Sequence, residues 1–396
     1  MRFRKHNVLV IGADGMLGSE VYSYLTQLSQ SEDSSINAVW KASHSELPLE
    51  DSGKVSAFFD REKNKGKKLP DIVINCAAFT DTTACETPAG YIPSYQANAL
   101  GPKHLAEACA ASGIKLIHIS TDYVYSHYQD VANGFEEPFP SNIYGLHKLL
   151  GEKFVESAYV HAPTKFLILR TSWLFGPSKT CKTFVHKVIC NAIKSVAQFK
   201  LCEKQGKPLP TPVPIVSAVD NCFGRPTSVW YLSSCIANAI DAKLYGVMDM
   251  QQTYYHTTID KDLVGVKADD SPVSRYTWAD EVIDYAKQFC PALKALALES
   301  ATAPSSKVTG TAVIHPCFVP LTQSNGPNSY IKVAEVKGLR TFPKSRDAVD
   351  DTKELIKQDW KQIFDNAMSK LTEEEQQAFD ELQAASDPAT PAADPA

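Results

Sequence analysis

Tyr144 and Lys148 stand four residues apart in the stretch "YGLHK". On a helix this spacing puts both side chains on one face, so a phenol and an ammonium can meet at one site. An ammonium beside a phenol favours the phenolate, and is expected to lower the tyrosine pKa from its usual value of about 10. The result would be a proton donor and acceptor usable near neutral pH, which is what carbonyl reduction requires. With 16 tyrosines in the chain, about one Tyr-x-x-x-Lys arises by chance, so the pair needs context. Upstream, in "IHISTDYVY", an apolar strand ends in Ser120, Thr121 and Asp122. Ligands of open α/β sheets bind at the carboxyl ends of strands, where the Thr121 hydroxyl could reach a substrate oxygen or simply cap the turn.

A second chemical signal is "VIGADGMLG" at 10–18, where Gly12, Gly15 and Gly18 follow an apolar run in a G-x-x-G-x-x-G pattern. Glycine permits a tight turn and close backbone approach, and the following helix N-terminus offers free N–H groups to a phosphate. The spacing departs from G-x-G-x-x-G. By itself the turn reads equally as a pyrophosphate site or as close helix–strand packing.

These residues need elements to hold them. Apolar runs at 7–12, 36–41, 71–76, 114–120 and 165–170 alternate with helical stretches at 16–30, 52–63, 90–112 and 142–160. The alternation predicts an α/β fold with a Rossmann-like, doubly wound parallel sheet covered on both faces, followed by a smaller C-terminal substrate lobe. "DIVINCAAF" and "IKLIHIS" are almost continuously apolar, as buried central strands are.

Beyond about 180 the pattern loosens. Helices are expected near 226–242 and 278–290, a loop or edge over the proline-rich 204–216, and a loop over the Ala/Ser/Thr-rich 291–312. Residues 352–371 have helical periodicity, with Leu355, Trp360, Ile363 and Phe364 on one broad face, while from about 384 nothing remains to bury and disorder is expected. The expected division is a dinucleotide-binding domain at 1–178, with 224–242 returning to it, and a substrate-binding lobe mainly at 179–345. A helical segment at 346–384 and a tail at 385–396 complete it.

The 396 residues can bury a large core; 44% are hydrophobic, 21% are charged, and the net charge is −5. That balance gives no electrostatic reason to expect a nucleic-acid partner, and the one basic run, "REKNKGKK" at 61–68, reads as a solvated helix end. The ten cysteines form no C-x-x-C pair and have no histidine at zinc-ligand spacing, so reduced cytoplasmic thiols and no metal site are expected. The apolar stretch after the N-terminal charges is too short for a signal-peptide core, and no segment is long enough for a membrane span.

Taken together, "GADGMLG", "INCAAFTDTTACE" at 74–86, "ANALGPKHLAEAC" at 97–109, "ISTDYVY" at 119–125, "YGLHK" and "LRTSWLFGP" at 169–177 form an ordered set. The chain resembles an extended short-chain dehydrogenase/reductase and, within that group, is similar to the dTDP-4-dehydrorhamnose reductases. The resemblance covers about 7–240, with fainter echoes at 224–228 and 342–355.

It implies a pyrophosphate site at Gly12, Gly15 and Gly18 beside Met16 and Leu17, with Ala77, Ala78 and Thr80 lining the ribose and nicotinamide region. Asn98 would support the site, and Thr121, Tyr144 and Lys148 match the family's catalytic triad, the last two also touching cofactor. Tyr123 and Trp173 would lie on the sugar side with Thr121. The implied reaction is reduction of the 4-keto group of dTDP-4-dehydro-L-rhamnose, with Thr121 polarising the carbonyl, Tyr144 protonating the alkoxide, and Lys148 holding the ribose and tuning Tyr144.

Some positions depart from the family. "INAVW" at 36–40 lacks the terminal acid expected to hold an NAD ribose, whereas Lys41 and His44 follow and could face a 2′-phosphate; this favours NADPH, with NADH left open. Pro48 replaces an Asp on the adenine side, and 126–140 is longer than the turn typical there. The rival reading is a non-catalytic regulatory subunit like the beta subunit of methionine adenosyltransferase, whose partner would be the catalytic subunit. Another nucleotide-sugar reductase or epimerase, and a homodimer, also stay open.

Overall fold

The computed structural model describes residues 5–64, 69–125, 138–178, 182–209, 211–220, 222–249, 273–301, 317–319, 331–332 and 348–386. They fall into two units. The first contains the described residues up to 174 together with 224–249, 317–319 and 331–332; the second contains 175–223, 273–301 and 348–386.

The first unit is built on β1 (His6–Ile11), α1 (Met16–Ser29), β2 (Ile36–Ala42), α2 (Ser52–Asn64) and β3 (Ile72–Asn75). It continues through α3 (Thr82–Cys85), α4 (Pro88–Tyr95), α5 (Gly101–Ala111), β4 (Lys115–Thr121), α6 (Ile143–Ala158) and β5 (Phe166–Thr171). The strands pair in parallel in the order β2, β1, β3, β4, β5, followed by Gly246–Asp249, also parallel to β5. Two short antiparallel strands, Cys317–Val319 and Ile331–Lys332, extend that edge.

Strand pleating explains why the central strands carry no polar face. Val8 and Val10 enter a core with Leu17, Val21 and Leu25 of α1 and Val229, Leu232 and Ile236 of the helix Val229–Asp241. Leu9 and Ile11 enter the opposite core with Val55 and Phe59 of α2, Leu105 of α5 and Val155 of α6. Both sheet faces are therefore dry, as the near-continuous apolar runs predict.

The doubly wound parallel sheet is as expected, with two differences of detail. The stretch 90–112, expected as one helix, is α4 and α5 joined by a π turn, Gln96–Leu100; Pro93 sits inside α4 and Pro102 opens α5. Proline cannot donate to the helical ladder, which accounts for the altered winding. The strand Gly246–Asp249 was not expected: it is only four residues long and follows positive-φ Lys243.

The second unit contains helices Phe184–Lys204, Arg275–Ala286, Ala348–Met368 and Glu373–Ser386. The expected loop at 291–312 is corrected over its described part: Pro291–Ala295 is a 3-10 turn, and Ala297–Ala301 pairs in parallel with Ile215–Val219. Pairing satisfies the backbone groups that a small-residue composition left unassigned; 302–312 lie outside the described residues. The C-terminal face is as the periodicity predicts, with Leu355 and Ile363 buried, Trp360 stacked on Phe289 at 5.2 Å, and Trp278 Nε1 donating to Thr352 Oγ1 at 3.2 Å. Helix extends to Ser386, two residues past the expected end of the helical segment at 384, and 387–396 lie outside the described residues.

Candidate active site

Chain order reverses between β1 and β3, so the segments leaving their carboxyl ends open the crevice where α/β sheets bind ligands. Gly12 has φ +76°, and a Cβ there would lie 2.6 Å from the Ala77 nitrogen, so glycine alone fits between the two segments. A Cβ on Gly18 would lie 2.1 Å from the Gly12 carbonyl oxygen, so α1 starts this close to the turn only with glycine there. Gly15 caps α1 without a side-chain hydrogen bond, and no acidic residue occupies the first turn. The free N–H groups and positive dipole end suit an anion. A dinucleotide pyrophosphate fits this cradle. Met16 is half-buried against the core and the Leu17 side chain lies within it, so these two can offer a phosphate mainly their backbone.

On the facing segment, Ala77 and Ala78 are half-buried and Thr80 is exposed. Asn98, on the π turn, holds this segment: its Nδ2 donates to the Phe79 carbonyl at 2.9 Å and its Oδ1 accepts from the Phe79 N–H at 3.0 Å. Asn98 Nδ2 also donates to Ser94 Oγ at 3.2 Å.

Thr121 is the last residue of β4, and Tyr144 and Lys148 come from the first turns of α6. Asn142 caps α6 by accepting from the Gly145 N–H at 2.7 Å. A Cβ on Gly145 would meet the Tyr123 carbonyl oxygen at 2.1 Å, so this glycine lets the helix sit against the turn after β4. The Tyr144 ring thereby lies edge-on to Tyr123 at 5.4 Å.

The expected lowering of the Tyr144 pKa is not found in this structure. Burial pushes the phenol up, Tyr123, Asp122 and Cys85 add to the rise, and only the hydrogen bond from Thr121 opposes it. Lys148 is 2% exposed, and its Nζ donates to the Ile119 carbonyl at 2.6 Å. Its own pKa is pushed down to about 8 by burial, opposed by Glu152 and Cys76. Desolvation thus outweighs the attraction anticipated from spacing.

Four residues beyond Lys148, Glu152 is fully buried and grips Arg170 of β5, with Nη2 to Oε2 at 2.6 Å and Nε to Oε1 at 3.1 Å. Ser120 Oγ also donates to Glu152, and Arg170 Nη1 donates to the Tyr125 hydroxyl at 2.7 Å. Sequence reasoning missed Glu152, although its helical spacing from Tyr144 and Lys148 was the available signal. It also missed Ser172, which meets Asp122 only through the tertiary fold. Trp173 follows β5, is 8% exposed, and has φ +40°, an uncommon backbone state for an aromatic residue.

At the end of β2, Lys41 Nζ lies 3.1 Å from Asp14 Oδ1 in the glycine turn. His44 pairs instead with Glu50 at 3.1 Å, away from that turn. Among the described residues no group of three or more His, Cys, Asp or Glu side chains could hold a metal ion, and no helix is long and apolar enough to cross a membrane.

The dTDP-4-dehydrorhamnose reductase of Mycobacterium tuberculosis is 31% identical over 253 residues, covering 62% of this chain and 69% of the relative. A dTDP-4-dehydrorhamnose reductase structure from Clostridium acetobutylicum has a TM-score of 0.61 at 24% identity, covering 89% of this chain and 99% of the other. The Bacillus anthracis dTDP-4-dehydrorhamnose reductase in complex with NADP also gives a TM-score of 0.61, at 21% identity and the same coverage. At these identities the two structures establish the fold. The family model described as RmlD substrate binding domain matches residues 6–311, and the chain belongs to that family.

Proposed function

We propose that this protein is an NADPH-dependent reductase that converts the 4-keto group of dTDP-4-dehydro-L-rhamnose to the hydroxyl of dTDP-L-rhamnose. The observation that carries the reading is the placement of Tyr144 and Lys148 in the first turns of α6 and of Thr121 at the end of β4, on the same sheet edge as the glycine cradle. The dinucleotide, when bound, supplies the hydride.

The chain's own residues do the rest. Gly12, Gly15 and Gly18 leave room for the pyrophosphate, with the first N–H groups of α1, at Met16 and Leu17, beside it. Ala77, Ala78 and Thr80 line the ribose and nicotinamide region. Tyr144 holds the proton that the substrate oxygen takes as it becomes a hydroxyl, and its raised pKa keeps that proton in place until then. Lys148 binds the ribose and places a positive charge beside the reacting groups. Thr121, Tyr123 and Trp173 lie on the sugar side.

The name of the Mycobacterium tuberculosis relative and the NADP in the Bacillus anthracis structure support this reading over a regulatory subunit of methionine adenosyltransferase. Free thiols at eight of the described cysteines suit a cytoplasmic enzyme. The test is NADPH oxidation with enzymatically generated dTDP-4-dehydro-L-rhamnose. Sugar-dependent oxidation supports the reading; none, together with capture of a methionine adenosyltransferase catalytic subunit, would favour the rival.

A further inference from the structure

We infer that His147 is a positioning residue that acts through Ser94: it takes the Ser94 proton and so sets the serine oxygen to hold Asn98, which clamps the Phe79 backbone in the segment facing the glycine cradle. The role rests on the reductase reading above, which puts the ribose and nicotinamide against that segment, 77–80.

Helical spacing brings the parts together. His147 directly precedes Lys148 on α6 and lies four residues before Gly151. A Cβ on Gly151 would meet the Asn98 carbonyl oxygen at 2.3 Å, so α6 presses on the π turn with the face that His147 shares. Ser94, four residues before Asn98, meets His147 there. Both side chains are fully buried, and Ser94 Oγ lies 2.9 Å from Nδ1 of the imidazole. Edge-on contacts with Tyr91 at 4.8 Å and Tyr95 at 5.4 Å hold the ring in its orientation.

Donor and acceptor counts fix the direction of each bond. The Phe79 N–H only donates and its carbonyl only accepts, so Asn98 presents Oδ1 to the first at 3.0 Å and Nδ2 to the second at 2.9 Å. The other Nδ2 proton goes to Ser94 Oγ at 3.2 Å. Cys85 Sγ donates to the same oxygen at 3.2 Å, and burial keeps the thiol protonated by pushing its pKa up. Both lone pairs of the serine oxygen are then used, and its single proton remains. A thiol sulfur is a weak acceptor and an imidazole nitrogen a good one, so that proton goes to His147 Nδ1. The imidazole is therefore neutral and carries its own proton on Nε2. Burial supports this state by pushing the ring's pKa down, opposed by Glu86, and Nε2 has no hydrogen-bond partner among the described residues.

One chain of side chains thus ties α6, which bears Tyr144 and Lys148, to the segment where Ala77 lies against Gly12. Without an acceptor at 147, the Ser94 proton turns to the Cys85 sulfur, and the serine oxygen loses the orientation that holds Asn98.

His147→Leu removes the acceptor at similar size, and His147→Asn restores one, because its side-chain oxygen can take the place of Nδ1. His147→Leu should weaken NADPH binding by about 3- to 10-fold, the scale of one lost internal hydrogen bond. The loss should fall on KM for NADPH more than on kcat, and His147→Asn should recover most of it. Ser94→Ala should weaken binding similarly, and adding His147→Leu to it should cost little more, because both act through one chain of bonds. Ser94→Ala also carries the test should His147→Leu fail to fold. Unchanged NADPH affinity in the single variants, an additive double variant, or equal loss in His147→Leu and His147→Asn overturns the inference and leaves the reductase reading intact. If the unmodified chain binds no NADPH, the reductase reading fails, and the bond chain is tested by hydrogen exchange at the Phe79 amide. Faster exchange in His147→Leu than in His147→Asn supports it, and equal exchange contradicts it.

Discussion

The Lys148 ammonium is directed at the β4 backbone, with its Nζ 2.6 Å from the Ile119 carbonyl oxygen, although Lys148 and Tyr144 share one face of α6. The lysine therefore does not act on the tyrosine through a direct bond in this structure. Its two proposed duties, holding the ribose and supplying charge, depend on the same amine. Lys148→Ala should accordingly weaken NADPH binding and lower kcat together. Fluorescence titration and initial rates check this, and loss of turnover with unchanged binding would leave only the charge role.

Lys148 also makes a pH prediction. Its pKa falls from 10.5 to about 8 on folding, so the unfolded chain holds this proton more tightly. Below pH 8 the buried ammonium destabilises the fold by a constant amount, and that cost is relieved as pH rises from 8 to 10.5. Lys148→Met should therefore be more stable than the unmodified protein at pH 7 by about 1 kcal/mol, once the lost hydrogen bond to Ile119 is included. The gap should close and then reverse through that window. Urea unfolding at several pH values measures it, and a gap that widens with pH would contradict the assignment.

Much of the sheet was legible because buried parallel strands must be apolar on both faces, and the alternation of β1 residues between two cores shows that constraint directly. The glycine turn and the Tyr144–Lys148 spacing were legible because each is local in sequence. The Tyr144 pKa shift was not, since it depends on burial by segments from elsewhere in the chain. Ser172, 50 residues from Asp122, is invisible to any local pattern. Ala297–Ala301 carries no strong strand composition, and pairing with Ile215–Val219 defines it.

Cofactor choice should depend on the ends of β1 and β2. Lys41 already faces Asp14 at 3.1 Å, at the turn proposed to hold pyrophosphate. Lys41→Ala should reduce NADPH affinity relative to NADH, and Asp14→Asn should raise NADPH affinity, each by a few-fold, as expected for exposed charges. Competitive titration at low and high salt tests the pair. A preference that survives both changes would place the discrimination elsewhere.

The C-terminal helices should be structural. Leu355, Ile356, Ile363 and Phe379 are fully buried, and burying each such side chain contributes about 1.5–3 kcal/mol. Removing 348–396 should therefore lower Tm by about 10 °C or more, whereas ending the chain after Ser386 should leave both Tm and turnover unchanged. Loss of activity from the shorter cut alone would implicate the proline-bearing tail in function.

The most direct test of the central claim is NADPH oxidation in the presence of dTDP-4-dehydro-L-rhamnose, comparing the unmodified chain with Tyr144→Phe. The account predicts sugar-dependent oxidation that falls by about 10²-fold or more in the variant, the scale of a lost acid group, while NADPH still binds. Equal turnover in the variant, or no sugar-dependent oxidation by the unmodified chain when NADPH is bound, would contradict it.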